Sequence, residues 1–154
     1  MKILILTYYW PPSGGSGVQR WLQFVKYLQD FGVTPVVYTV ENPSYAIEDS
    51  TLASEIPKGV EVLRRPIWEP YSLLAPFSKN KTTTKAGFLT KSPTFFGKLV
   101  RYVRANYFIP DARKFWIRPS VHYLEAYLQK NPVDVIVSSG PPHSLHLIAM
   151  QLKK

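Results

Sequence analysis

The sequence predicts an α/β fold, a small parallel sheet flanked by helices. Two observations carry this expectation. Residues 1–40 read as strand, glycine-rich loop, helix and strand, a βαβ unit whose two strands run parallel through a right-handed crossover. Further along, short β-rich runs keep alternating with amphipathic stretches, the pattern of a parallel sheet. With 154 residues, 45% of them hydrophobic and 19% charged, the chain falls in the single-domain range and is too apolar to stay disordered.

Residues 2–8 form a continuous apolar, β-rich run that ends in turn residues, the signature of a buried strand. The run is short and leads into Pro11-Pro12, so it is a first strand and not a signal peptide. Pro11 to Gly17 holds three glycines and two prolines, a mixture that only a loop accepts. Val18, Trp21, Leu22, Val25 and Leu28 then recur at helical spacing, and Gly32 serves as the helix stop. Val33 to Val40 is a second strand, with Pro35 near its start, where a missing N–H is tolerable. Residues 41–59 read as polar loop with a short helix around Tyr45 to Ser54, and Val60 to Arg65 as a third strand.

Residues 66–93 carry four prolines and a Lys-Thr-Thr-Thr-Lys stretch, which predicts a long excursion. Phe95 to Tyr107 has the spacing of a basic amphipathic helix, and Pro119 to Lys130 that of a further helix with proline in its first turn. Val133 to Val137 is a fourth strand, Ser138 to Pro142 a loop and Leu145 to Leu152 a closing helix. The sheet therefore has about four strands.

Charge is distributed unevenly. The net charge is +9, with 19 lysines and arginines against 10 acids; residues 1–77 carry a net −1 and residues 78–154 a net +10. Between Lys79 and Arg118 the sole acid is Asp111, and aromatic residues are interleaved with the cations. Such a segment is either a solvated basic face over aromatics or a surface for a polyanion or an anionic membrane. No apolar run approaches the ~20 residues that a spanning helix needs. The absence of cysteine excludes a disulfide scaffold, a thiolate metal site and a cysteine nucleophile.

Chemistry concentrates in two loops. Gly14-Gly15-Ser16-Gly17 lies between the first strand and first helix. In an open parallel sheet, ligands bind beyond the carboxyl ends of the strands. Glycine there either turns the chain or lets backbone N–H groups approach an anion at the helix N-terminus. Arg20, in the first turn, can add a fixed charge. The spacing is neither G-x-G-x-x-G nor a Walker loop, which disfavours a simple dinucleotide fold, a sugar-nucleotide epimerase or a P-loop ATPase.

The second loop, Ser138-Ser139-Gly140-Pro141-Pro142-His143-Ser144, is expected on the same sheet edge. His143 there is a general base, a donor to a sugar or phosphate, or a plain helix cap. His146 lies three residues on, but without an accompanying carboxylate or cysteine the pair does not predict a metal site. His122, beside an apolar helix face, reads as structural. Asp111 is expected to shape a turn or pair with Arg113, and a catalytic acid lacks support. No G-x-S-x-G elbow or acid pair at helical spacing occurs, so hydrolase templates fail.

The stretch Tyr8-Tyr9-Trp10-Pro11-Pro12-Ser13-Gly14-Gly15-Ser16-Gly17-Val18-Gln19-Arg20-Trp21, set between a hydrophobic strand and an amphipathic helix, resembles the opening of family-four retaining glycosyltransferases of the GT-B architecture. Pro110-Asp111-Ala112-Arg113-Lys114-Phe115-Trp116 and Ser138-Ser139-Gly140-Pro141-Pro142-His143-Ser144-Leu145-His146 are similar to the subset that builds bacterial surface polysaccharides. The resemblance covers most of the chain apart from residues 66–93.

The resemblance implies two Rossmann-like domains facing a cleft, one receiving the acceptor and the other binding the nucleotide-sugar through a Glu-x7-Glu motif. Residues 1–154 are then the acceptor-side, N-terminal half of a GT-B fold, expected to be incomplete, with the nucleotide-sugar domain outside this sequence. It further implies that Gly14, Gly15, Ser16 and Gly17, with Arg20, Ser139 and Gly140, face donor phosphates and acceptor. His143 is the nearest match to a histidine that contacts the donor sugar. The implied reaction transfers a sugar with retention, without a bound metal or other cofactor. The implied acceptor is a glycan, on a polyprenyl diphosphate in an anionic bilayer. Lys98, Arg101, Arg104, Arg113, Lys114, Trp116 and Arg118 are then the expected docking residues of a cytoplasmic protein peripheral to the inner face of the membrane. A non-catalytic acceptor-binding or scaffold subunit is the alternative. A nucleic-acid module would share the basic aromatic segment but lacks a reader fold, so no nucleic acid is expected as partner.

Overall fold

The computed structural model describes residues 1–43, 45, 47–68, 102 and 106–153. Strand β1 (Lys2–Thr7) is followed by helix α1 (Ser16–Leu28), a 3-10 turn (Gln29–Phe31) and strand β2 (Thr34–Val40). A 3-10 stretch (Ser50–Glu55) precedes strand β3 (Glu61–Arg65). Another 3-10 turn (Lys114–Trp116) leads into helix α2 (Ile117–Lys130), strand β4 (Val135–Ser139) and helix α3 (Ser144–Leu152).

The four strands form one sheet in the order β3-β2-β1-β4, and every pairing is parallel. The α/β class, the parallel sheet and its strand number thus agree with the sequence expectation. Gly32 ends the first helical segment in the left-handed conformation, with φ 69°, as a C-terminal glycine commonly does.

Alternation along the strands divides the core into two layers. Leu4, Leu6, Val36, Tyr38 and Val40 face α2 and α3, meeting Trp116, Val121, Leu124, Leu145 and Ile148. Ile3, Ile5 and Val37 face α1, meeting Val18, Leu22 and Val25, with Trp10 and Leu52 filling the margin. On the first layer the Tyr38 hydroxyl donates to Ser120 Oγ at 2.7 Å, and Ser120 Oγ donates to the Trp116 carbonyl at 2.6 Å. This relay satisfies two buried hydroxyls that would otherwise destabilise the core.

Several boundaries differ from expectation, each for a local reason. β4 begins at Val135 and runs to Ser139, two residues later than the apolar run suggests. Asp134 explains the shift: its N–H donates to the Lys2 carbonyl at 2.8 Å and its carboxylate accepts the Lys2 N–H at 2.6 Å, so the strand ladder opens at the next residue. α2 starts at Ile117, ahead of Pro119, because the missing proline N–H still falls among the first-turn donors that no helix satisfies. The short helix expected over Tyr45 to Ser54 is a 3-10 stretch displaced to Ser50–Glu55, started by the Asp49 carboxylate accepting the Thr51 N–H at 3.0 Å. The excursion expected over 66–93 and the helix expected over Phe95–Tyr107 lie largely outside the described residues.

Candidate functional site

The sheet changes direction of growth at β1, which has β2 on one side and β4 on the other. That switch point is where an open α/β sheet leaves a crevice beyond its strand ends. A cleft of about 290 Å³ lies there, lined by Thr7, Tyr9, Gly14, Gly15, Ser16, Gly17, Val18, Arg20, Trp21, Ser139, Gly140 and Pro141. Seven of the eight residues expected to bind ligand, Gly14, Gly15, Ser16, Gly17, Arg20, Ser139 and Gly140, therefore come together.

The glycine loop is held from behind. Ser13 bridges Glu48; the Gly14 N–H donates to the Ile47 carbonyl at 2.9 Å, and the Asp49 N–H donates to the Pro12 carbonyl at 2.7 Å. A Cβ on Gly14 would stand 2.8 Å from Ile47 Cγ2, and Gly15 has φ +100°, so both positions need glycine for the fold itself. Gly14 thereby corrects one expectation: its amide is spent on Ile47 and is not available in the cleft. The N–H groups of Gly15, Ser16 and Gly17 have no hydrogen-bond partner among the described residues. Gly17 differs from its neighbours, because a Cβ there would meet nothing within 4 Å and its φ is ordinary. The fold does not demand glycine at that position.

The opposite wall comes from β4. Trp21 Nε1 donates to Ser139 Oγ at 2.7 Å, tying α1 to the end of β4 across the cleft mouth. Ser138, on the other face of the strand, makes a 2.9 Å hydrogen bond between its Oγ and His146 Nδ1. The two serines thus anchor the strand end to a helix on each layer. Sequence reasoning missed Thr7, Tyr9, Val18, Trp21 and Pro141 as cleft residues. Trp21 reads as core because it falls on the apolar stripe of α1, although its place beside Arg20 in the opening turns of the helix is a usable signal.

His143 is exposed and is not among the residues lining the cleft. It occupies the position before α3 without a side-chain capping bond, its ring 5.7 Å from that of His146. The cap of α3 is Asp111, whose Oδ2 accepts the Ser144 N–H at 2.8 Å and whose Oδ1 accepts the Ser144 hydroxyl at 2.7 Å. Oδ1 also accepts the Arg113 N–H at 2.8 Å, which is the expected turn. Among the described residues no three His, Cys, Asp or Glu side chains gather as a metal site.

The docking residues divide. Lys98, Arg101 and Arg104 lie outside the described residues. Trp116 is 1% exposed and stacks on Tyr38 with centroids 5.5 Å apart, so its expected docking role is corrected to a core role: the indole is too large to leave the layer without collapsing it. The Arg113 guanidinium lies 4.3 Å from the Tyr8 ring centre, and its Nη2 donates to the Tyr8 hydroxyl at 3.3 Å. Lys114 donates to the Tyr107 carbonyl and sits 5.3 Å from the Phe115 ring and 5.5 Å from Phe108. Arg118 is exposed. Tyr107 and Phe115, both exposed, flank Lys114; exposed Trp68 lies 4.9 Å from Phe115, and Ile109 is also exposed.

Tyr38, Tyr45 and Tyr127 have raised pKa values. Burial pushes Tyr38 up to about 12, its bond to Ser120 opposing the rise. Burial likewise raises Tyr45, while Tyr127 is raised by desolvation and by donating to the Glu61 carboxylate at 2.6 Å. None of the three lines the cleft. Among the described residues, no Asp, Glu or His lines the cleft. No protein-family model, curated protein or solved structure matches the chain.

Proposed function

We propose that this chain is the acceptor-side domain of a retaining glycosyltransferase, which moves a sugar from a nucleotide-sugar to a lipid-linked glycan acceptor in cell-surface polysaccharide synthesis. The observation that carries the reading is the open glycine loop at the switch point. The N–H groups of Gly15, Ser16 and Gly17, without a partner among the described residues, line the cleft with Arg20, a set of preorganised donors suited to a phosphate group. The three sequence stretches that resemble the family support it independently.

The developing charge in such a transfer falls on the leaving diphosphate. Donors already fixed in place stabilise that charge without reorganising. On this reading the loop amides and Arg20 serve one side of the diphosphate, and a second, nucleotide-sugar domain outside this sequence serves the other. The same open loop also suits the second reading, a non-catalytic acceptor-binding subunit. Both readings place a diphosphate-bearing ligand at the same loop.

We further propose that the chain docks on the cytoplasmic leaflet through its basic segment. Arg118, Lys114 and the exposed Trp68, Tyr107, Ile109 and Phe115 support this, because cations beside interfacial aromatics suit a lipid headgroup region.

Titrating the 154-residue chain with uridine diphosphate, followed by amide NMR, tests the shared core of both readings. The expected result is that the largest shifts fall on Gly15, Ser16 and Gly17 and that Arg20→Ala weakens binding about tenfold, as loss of a charge-assisted contact does. Shifts scattered away from the loop would overturn the reading. With nucleotide-sugars and acceptor, the chain alone is expected to show no turnover; transfer by it alone would refute the two-domain division of labour.

A further inference from the structure

The cleft has a second kind of wall that the phosphate reading leaves unused. Trp21 is half-buried and lines the cleft. Its one polar atom, Nε1, is already committed to Ser139 Oγ, so only aromatic surface remains for a ligand. The same bond holds the indole in one orientation. Tyr9 lines the same space, and its ring is held against Tyr45 at 6.1 Å and edge-on to Tyr8 at 5.1 Å. Both aromatic walls are therefore fixed before any ligand arrives, which lowers the ordering cost of binding. Beside them the Ser16 hydroxyl is exposed and has no partner among the described residues.

At about 290 Å³ the cleft lies at the small end of the ~300–1,000 Å³ range of ligand sites. That space takes one ring together with its phosphate. Resting on the diphosphate reading above, we infer that Trp21 and Tyr9 form a platform for the hexose directly attached to the bound phosphate, and that Ser139 is the positioning residue that holds the Trp21 ring. A hexose offers apolar C–H faces to the rings and hydroxyls to Ser16 and the loop.

The test compares glucose 1-phosphate with pyrophosphate, a probe that has no ring, by calorimetry on the intact chain. Wild type is expected to bind the sugar phosphate more tightly than its ring-free counterpart. Trp21→Ala is expected to lose about tenfold for glucose 1-phosphate and little for pyrophosphate. Trp21→Phe keeps an aromatic surface and should retain most of the preference. Ser139→Ala should lose part of it, because the ring is kept but no longer held. Circular dichroism reports whether each variant folds; should Trp21→Ala fail, Trp21→Leu removes the aromatic face with a smaller cavity. If no probe binds wild type, the diphosphate reading itself fails. If both probes bind wild type equally, or Trp21 substitution lowers both alike, the platform is wrong while the diphosphate reading stands.

Discussion

Gly17 separates what a glycine does for a fold from what it does for a ligand. Gly14 is boxed in by Ile47 and Gly15 has a positive φ, but at Gly17 a methyl group would enter free space. Alanine in a helix is favoured over glycine by roughly 0.5–1 kcal/mol. Gly17→Ala should therefore raise the melting temperature slightly while weakening diphosphate binding, since Gly17 lines the cleft and the methyl takes ligand room. Thermal melts paired with titration check both signs, and unchanged affinity would show that the position is not part of the site. In the sequence the three glycines look alike, because the contact with Ile47 joins segments more than thirty residues apart and spacing does not encode it. Trp116 misleads for a related reason: an indole among cations fits either a lipid surface or a core, and what decides is Tyr38, supplied by β2.

Secondary elements were largely legible, because burial on one side leaves a repeat in the sequence. The stripe Val18, Leu22 and Val25 is buried, as helical spacing requires. Element ends were less legible, because distant side chains set them. α3 is started by Asp111, which reaches it from 33 residues upstream in the chain. A carboxylate accepting from the first N–H groups of a helix contributes ~1–2 kcal/mol through hydrogen bonding and the helix dipole. Asp111→Ala should thus destabilise the protein by about that amount, with Asp111→Asn intermediate. Urea unfolding measures it, and an unchanged midpoint would mean that Ser144 finds another partner. The cap also couples segments 110–116 and 138–146, which are far apart in the sequence.

Across the whole molecule, no helix among the described residues is long and apolar enough to cross a membrane, and the excess positive charge is confined to the second half of the sequence. Each cation near an anionic surface contributes about 1 kcal/mol, within a Debye length that shrinks as salt rises. Cosedimentation with phosphatidylserine-containing vesicles should accordingly fall steeply between low and high salt, and Ile109→Ser with Phe115→Ser should weaken it further. Binding indifferent to salt and to anionic lipid would end the docking proposal. The sheet order was only partly legible: alternation announces a parallel sheet, but that β4 joins β1 on the side away from β2 follows from register pairs such as Ile3 with Val135, which no local pattern contains. That order has a consequence for biosynthesis. β1 leaves the ribosome ahead of the other three strands and gains its partner β2 early, yet its other flank waits for Val135–Ser139. During that interval a nascent chain presents an unpaired, apolar strand border open to intermolecular association, so a stalled or truncated product ending before β4 is a natural client for a holding chaperone.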